Sequence, residues 1–263
     1  MPIGSVSRGT TGTNRLRRVD RFIAQLPAMR RARPLVVDLG FGASATTTLE
    51  MHERLSRVHR DVDVVGIEID PARVALASLS ARRGVAFRRG GFEIPLGDGR
   101  SPTVIRAFNV LRQYDESQVL EQWRRMAGRL EAGGTLVEGT CSELGRVASW
   151  VNIAADGPTS LTLSLRLEEL EWPSILAERL PKALIHRNVP GERIHALLQD
   201  LDREWRFAAH LAVFSPRQRW IGTVRGLADH GWPVLGGPSR WRLGEMTVPW
   251  SAVAPRGFAW NAT

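Results

Sequence analysis

From Pro34 to about Leu170, apolar runs of strand length alternate with amphipathic blocks of helix length, and this alternation constrains the fold more than any other feature. LVVDLG (35–40) is a continuous apolar run ended by glycine, the form of a strand covered on both faces. Residues 46–58 read as a helix with Leu49, Leu55 and Val58 turned inward. VDVVGIEID (62–70) is a second strand, and Pro71 opens a helix whose inner side carries Val74, Leu76 and Leu79. VAFRR (85–89), TVIRAF (103–108) and TLVEGTC (135–141) are three more strands, and Asp115 with Gln118 makes a capping-box start for a helix reaching Leu130. The expectation is an α/β chain with a doubly wound, mostly parallel sheet of about seven strands.

The pattern changes after strand five. Residues 146–167 alternate on either side of Asp156-Gly157, as a β-hairpin does. Helices near 192–205 and 216–230 follow, then a last strand over 241–250. Three parts result: a basic helical arm (1–33), an α/β core (34–170), and a C-terminal helical elaboration with the final strand (171–263), the part expected with the arm to select the substrate. Seven of the nine tryptophans lie from Trp172 onward, where subdomain packing is the default reading and stacking on bases the alternative.

The net charge of +9 is concentrated at one end. Residues 1–33 hold eight arginines against one acid, Asp20, which leaves only +2 for the other 230 residues. Leu16, Val19, Phe22, Ile23, Leu26 and Met29 recur at helical steps over 15–31, with Thr13 or Asn14 as cap and Arg17, Arg18, Asp20 and Arg21 mostly opposite. A helix docked on the domain is expected, its arginines near solvent or the substrate entrance, with residues 1–14 irrelevant to cofactor affinity. A transit sequence and a nucleic-acid tail are the competing readings. A single cysteine, Cys141, excludes an intrachain disulfide and a cysteine-built metal site, and no metal site is expected. No apolar run reaches the roughly 18–20 residues of a membrane span, so the expected location is cytoplasmic.

The chemistry is carried by VVDLGFGASATT (36–47), where an acid closes a strand, a Gly-x-Gly turn follows and a polar helix start comes next. Glycines there let a ligand approach the main chain, and the helix start supplies unpaired amide donors. Ala45 takes the place of a dinucleotide site's last glycine. Glu68, 26 residues beyond Gly42, stands where such a sheet places a carboxylate to grip a ribose; Asp70, beside Pro71, reads as a helix cap.

These residues resemble the class I S-adenosylmethionine-dependent methyltransferase family over roughly 34–141, with its Rossmann-like core. Asp38-Leu39-Gly40-Phe41-Gly42 looks like the family's first motif, and GIEIDP (66–71) like its second. FRRGGFE (87–93) resembles the third, with Gly91 where an acid often meets adenine, and LEAGGTLVEG (130–139) resembles the turn into strand five. The resemblance implies S-adenosyl-L-methionine held by Asp38, Gly40, Phe41, Gly42, Glu68, Ile69, Gly91, Phe92 and Asn109. It implies in-line methyl transfer to an unidentified acceptor, a small molecule ahead of nucleic acid bound through the basic arm. No universal catalytic residue comes with the family. Asn109, Arg106, Tyr114 and Glu138 are the candidates, with Arg112, Gln113 and Glu143 beside them, each set against a structural role. A nicotinamide-dependent oxidoreductase and an RNA-binding protein with a methyltransferase-like core are the alternatives.

Overall fold

The computed structural model describes residues 2–6, 9, 12–97 and 99–260. Its eight-stranded sheet has the order β3-β2-β1-β4-β5-β6-β7-β8. Strands β1 (Leu35–Leu39), β2 (Asp63–Glu68), β3 (Val85–Arg89), β4 (Val104–Phe108) and β5 (Thr135–Cys141) are parallel. Strands β6 (Val147–Ala154), β7 (Gly157–Leu165) and β8 (Glu245–Pro249) continue the sheet as an antiparallel meander. The five parallel strands, the hairpin and the last strand read from the sequence are all present, eight against an expected total of about seven. Chain direction around β1 and β4 reverses the strand order, the switch point at which open α/β sheets bind ligands.

Helices cover both faces because strand residues alternate between two cores. Leu35, Val37 and Leu39 enter the larger one with helix α4 (Glu116–Ala127), α6 (Arg193–Phe207) and α7 (Pro216–Asp229). Val36, Val64 and Val104 face α1 (Arg17–Ile23) and α2 (Thr46–Ser56). Short helices α5 (Lys182–Ile185) and α8 (Pro238–Trp241) complete the C-terminal part, and α3 (Pro71–Ser78) lies beside β2 and β3. Trp205, Trp220, Trp241 and Trp250 all belong to the larger core, so the late tryptophans mainly serve packing.

Several local expectations change. The arm is not one helix over 15–31: α1 ends at Ile23, and a separate 3-10 turn spans Pro27–Arg30. Pro27 donates no amide hydrogen bond and drives Leu26 into extended backbone at ψ 138°, which ends helical propagation. The α1 cap is Leu16, without a side-chain bond, while Asn14 takes a left-handed φ of 61°. Val58, Leu76 and Leu79 are exposed; Met51 and Ala77 supply inner contacts instead. The apolar stripe does dock, with Leu16, Val19, Ile23 and Met29 buried and Phe22 edge-on to Trp150 at 5.1 Å.

Asp20 departs most from the pattern, being fully buried rather than on the polar face. It receives hydrogen bonds from Arg106 Nη1 and, at 2.6 Å, from Arg54 Nη1. Arg106 is itself buried next to Asp38, its register partner across β1 and β4, with Nε to Asp38 Oδ1 at 3.0 Å. Burial opposes the Arg106 cation, but Asp20 and Asp38 outweigh it and hold the guanidinium above its ordinary pKa.

Candidate functional site

The turn after β1 needs its glycines. Gly40 and Gly42 have φ of 71° and 84°, and a β-carbon on Gly40 would lie 2.7 Å from Val110 Cγ2. Glu68 ties this turn to the end of β2: Oε2 accepts the Gly42 amide at 3.0 Å and Oε1 the Ile69 amide at 2.8 Å. Asp70 accepts the Ala72 and Arg73 amides, so it is the α3 cap, and Glu68 is the carboxylate that lines the neighbouring cleft.

A cavity of about 610 Å³ opens over the switch point. Asp38, Gly40, Phe41, Gly42 and Asn109 line it, as do Arg15, Arg112, Gln113, Glu143 and Arg179. A second cleft joins Gly40 and Glu68 to Ile69, Gly91, Phe92 and Tyr114. The nine residues implied as cofactor contacts thus fall on two connected faces of one groove, Asp38 and Asn109 at one end, Ile69, Gly91 and Phe92 at the other.

The second cleft measures only about 20 Å³, because Ile3, Gly4 and Ser5 lie across it. Among the described residues, four bonds hold this strap: Ile3 N to Glu93 Oε2 (2.8 Å), Phe92 N to Ile3 O (2.9 Å), Ser5 N to the Tyr114 hydroxyl (2.5 Å), and Gln113 Nε2 to Ser5 O (3.1 Å). A β-carbon on Gly91 would stand 2.0 Å from Ile3 O, the physical reason for glycine there. Residues 3–5 therefore lie against Gly91 and Phe92, two of the implied cofactor contacts, where the sequence reading expects residues 1–14 to leave cofactor affinity nearly unchanged.

The catalytic candidates separate by position. Arg106 is saturated in the core and does not line the cavity; its Nη2 also donates to Thr47 O at 3.1 Å. Glu138 is buried beneath Trp123, whose Nε1 donates at 3.3 Å, and burial pushes its carboxyl up to about 8 against that opposing bond. Neither lines the groove. Tyr114 belongs to the cleft, edge-on to Phe92 at 5.3 Å. Asn109 reaches the cavity with a φ of 59°, but its amide bridges Cys141: Oδ1 accepts the Cys141 amide at 3.0 Å and Nδ2 donates to Sγ at 3.3 Å.

Sequence reasoning missed Arg15 and Arg179 on the cavity wall. The Arg179 carbonyl accepts hydrogen bonds from Thr140 Oγ1 at 2.5 Å and from Ser149 Oγ, two buried hydroxyls paired across β5 and β6. Arg112 Nη1 donates to the adjacent Glu178 carbonyl at 2.9 Å, so two arginine attachments converge on neighbouring residues. Burial, and then the Arg179 cation, push the Arg112 guanidinium below its ordinary pKa. Glu143, largely exposed, meets Arg179 at 3.4 Å. Other polar groups stay outside the groove. His186 meets Lys182 at 3.1 Å, Arg187 pairs with Glu116 at 2.6 Å, and Asn188 meets His195 at 3.1 Å.

Among the described residues, no group of three or more His, Cys, Asp and Glu is placed to hold a metal ion, and no helix is long and apolar enough to cross a membrane. No family model and no curated protein sequence matches the chain. Solved structures do. Human N-acetylserotonin methyltransferase in complex with SAM is 19% identical, with 49% of this chain and 35% of that chain covered and a TM-score of 0.36. A variant of LepI in complex with SAH and a substrate analogue is 16% identical over 51% of this chain and 33% of that one, with a TM-score of 0.39. Precorrin-6y C5,15-methyltransferase from Geobacter metallireducens is 14% identical over 53% and 69%, with a TM-score of 0.36. The chain spans about a third of the length of the first two.

Proposed function

We propose that the chain is an S-adenosylmethionine-dependent methyltransferase acting on a small carboxylate-bearing acceptor. The observation that carries the cofactor assignment is Glu68, bound at once to the Gly42 and Ile69 amides at the junction of cavity and cleft. A carboxylate has about four acceptor positions; with Asp70 N also donating to Oε1 at 3.5 Å and Arg73 Nη1 3.8 Å from Oε2, the remaining capacity is for one ribose hydroxyl. The donor set fits the cofactor: Glu68 would hold a ribose hydroxyl, Ile69, Gly91 and Phe92 the adenine, and Gly40, Phe41, Gly42 and Asn109 the amino-acid end. Bound there, the cofactor supplies an electrophilic methyl group on a sulfonium.

This chain's own work is positioning. Phe108 and Leu16 give the cavity an apolar wall, while Arg112 and Arg179 stand on it with Glu143 as the nearby carboxylate. Asp38 adds little to the field, because Arg106 neutralises it from behind. An acceptor carboxylate seated between the two guanidinia would fix the rest of the molecule toward the glycine turn, and orientation of reacting atoms supplies much of the rate in such displacements.

Calorimetry tests both parts. S-adenosylhomocysteine is expected to bind the full chain and NADH not; NADH binding without S-adenosylhomocysteine binding overturns the cofactor assignment. On protein loaded with S-adenosylhomocysteine, benzoate is expected to bind at least tenfold tighter than benzamide, and Arg179→Gln to remove that preference. Equal affinity for the two overturns the acceptor class.

A further inference from the structure

We infer that a second, separate site between α1, the end of β7 and α7 binds a small anion carrying two or more phosphates. A depression of about 250 Å³ is lined there by Arg17, Arg18, Arg21, Arg217 and Arg242, with Glu168 as the acid in its wall. It shares no lining residue with the cofactor groove. The arginines come from three regions that the fold brings together: α1, the first turn of α7, and the residue after α8.

Their arrangement crowds like charges that an anion would offset. Arg18 reaches Ser164 Oγ at 3.3 Å and the Leu243 carbonyl at 3.0 Å, neither of them charged. Burial, then Arg21 and Arg17, lower its pKa to about 10. The buried Nε atoms of Arg18 and Arg21 have no hydrogen-bond partner among the described residues. Arg21 does pair with buried Glu245 at 2.7 Å, but Arg240 shares that carboxylate. Arg217 and Arg242 are exposed and make no ion pair among the described residues.

The charge balance selects the ligand. With the ion-paired neighbours Arg240, Arg166 and Glu169 included, seven guanidinia against Glu168, Glu169 and Glu245 leave a net +4. One phosphate carries about −1.5 to −2 at neutral pH, so a single group leaves the site under-neutralised and two complete it. Guanidinium forks match phosphate oxygens in pairs, which separates this site from a diffuse basic surface. Concavity favours a compact polyphosphate over an extended strand.

The probe is inorganic pyrophosphate, titrated into the full chain at about 0.15 M salt, where exposed charges are well screened, with sulfate and single-stranded poly(U) as comparisons. Pyrophosphate is expected to bind at least tenfold tighter than sulfate and to raise the melting temperature. The doubly substituted Arg217→Gln, Arg242→Gln protein, changed only at exposed positions, is expected to lose pyrophosphate affinity at least tenfold with S-adenosylhomocysteine binding unchanged. Equal, weak binding of pyrophosphate and sulfate overturns the site. So does poly(U) binding tighter than pyrophosphate and lost in the same protein, which makes the patch a nucleic-acid surface. Pyrophosphate binding that survives both substitutions also overturns it.

Discussion

The carbonyl oxygen of Ile3 occupies the space that a β-carbon on Gly91 would need, at 2.0 Å from its ideal position. The strap and the glycine are therefore matched, and the matched pair sits at the end of the groove to which the proposed function assigns the adenine. A cleft of about 20 Å³ holds roughly one water, far less than a purine, so the strap must lift for a nucleoside to enter. Its four hydrogen bonds are each worth about 0.5–1.5 kcal/mol net, reduced by the entropy of ordering the strap.

Removal of residues 1–6 is accordingly expected to speed S-adenosylhomocysteine association and to tighten binding about tenfold, near 1.4 kcal/mol. Gly91→Ala should act in the same direction by displacing Ile3. Stopped-flow fluorescence of both proteins checks this; slower association or weaker binding would show that the strap forms the adenine wall.

Glu68→Gln keeps the side-chain volume and one acceptor for the Gly42 or Ile69 amide while discarding the charge. A charge-assisted bond to a ribose hydroxyl is worth about 1.5–3 kcal/mol. The expected result is at least a tenfold loss of S-adenosylhomocysteine affinity by calorimetry, with a melting temperature within a few degrees of the parent. Unchanged affinity in a folded protein would remove Glu68 from the site.

Much of this groove is legible in one dimension because its parts are local. A buried strand, a glycine turn and a helix start are consecutive in VVDLGFGASATT, and Glu68 ends the next strand. The capping box at Asp115 and Gln118 and the hairpin across Asp156-Gly157 are short-range for the same reason. What stays illegible depends on contacts between distant segments. Helical spacing puts Asp20 on the polar side of α1, yet Arg106, 86 residues away, draws it inward. Arg179 shows no local signal at all, since the buried hydroxyls that fix its carbonyl come from β5 and β6. Glu138 lies away from the groove because α4 lays Trp123 over it.

Asp20→Ala removes one partner of a buried cation. Loss of one member of such a pair typically costs about 3–5 kcal/mol, because the other charge remains in a dry site. A fall of that size in chemical-denaturation stability is expected. A change under about 1 kcal/mol, the size of an exposed pair, would mean that Asp38 alone suffices for Arg106.

Glu138 gives a pH test. The folded protein holds its proton up to about pH 8, whereas the unfolded chain releases it near 4.5. Stability from this group is complete below about pH 4.5 and is lost as pH rises toward 8. Glu138→Gln cannot titrate and keeps an acceptor for Trp123. It is expected to match the parent near pH 4 and to exceed it by about 2–4 kcal/mol at pH 8. Urea melts across that range decide the matter, and parallel curves would refute the buried neutral acid.

The position of Arg106 also determines where this chain can be cut. One of its counter-charges comes from the strand beside it, the other from α1. A chain beginning at Pro34 would carry a dry cation that has lost one of its two counter-charges, and it is expected to be less stable than the whole chain. Any shift of α1 would be transmitted through Arg106 to Asp38, two residues before Gly40, with no ligand contact needed. Arg106 thus ties α1 to the strand that precedes the glycine turn, though 18 positions separate Asp20 from Asp38 in the sequence.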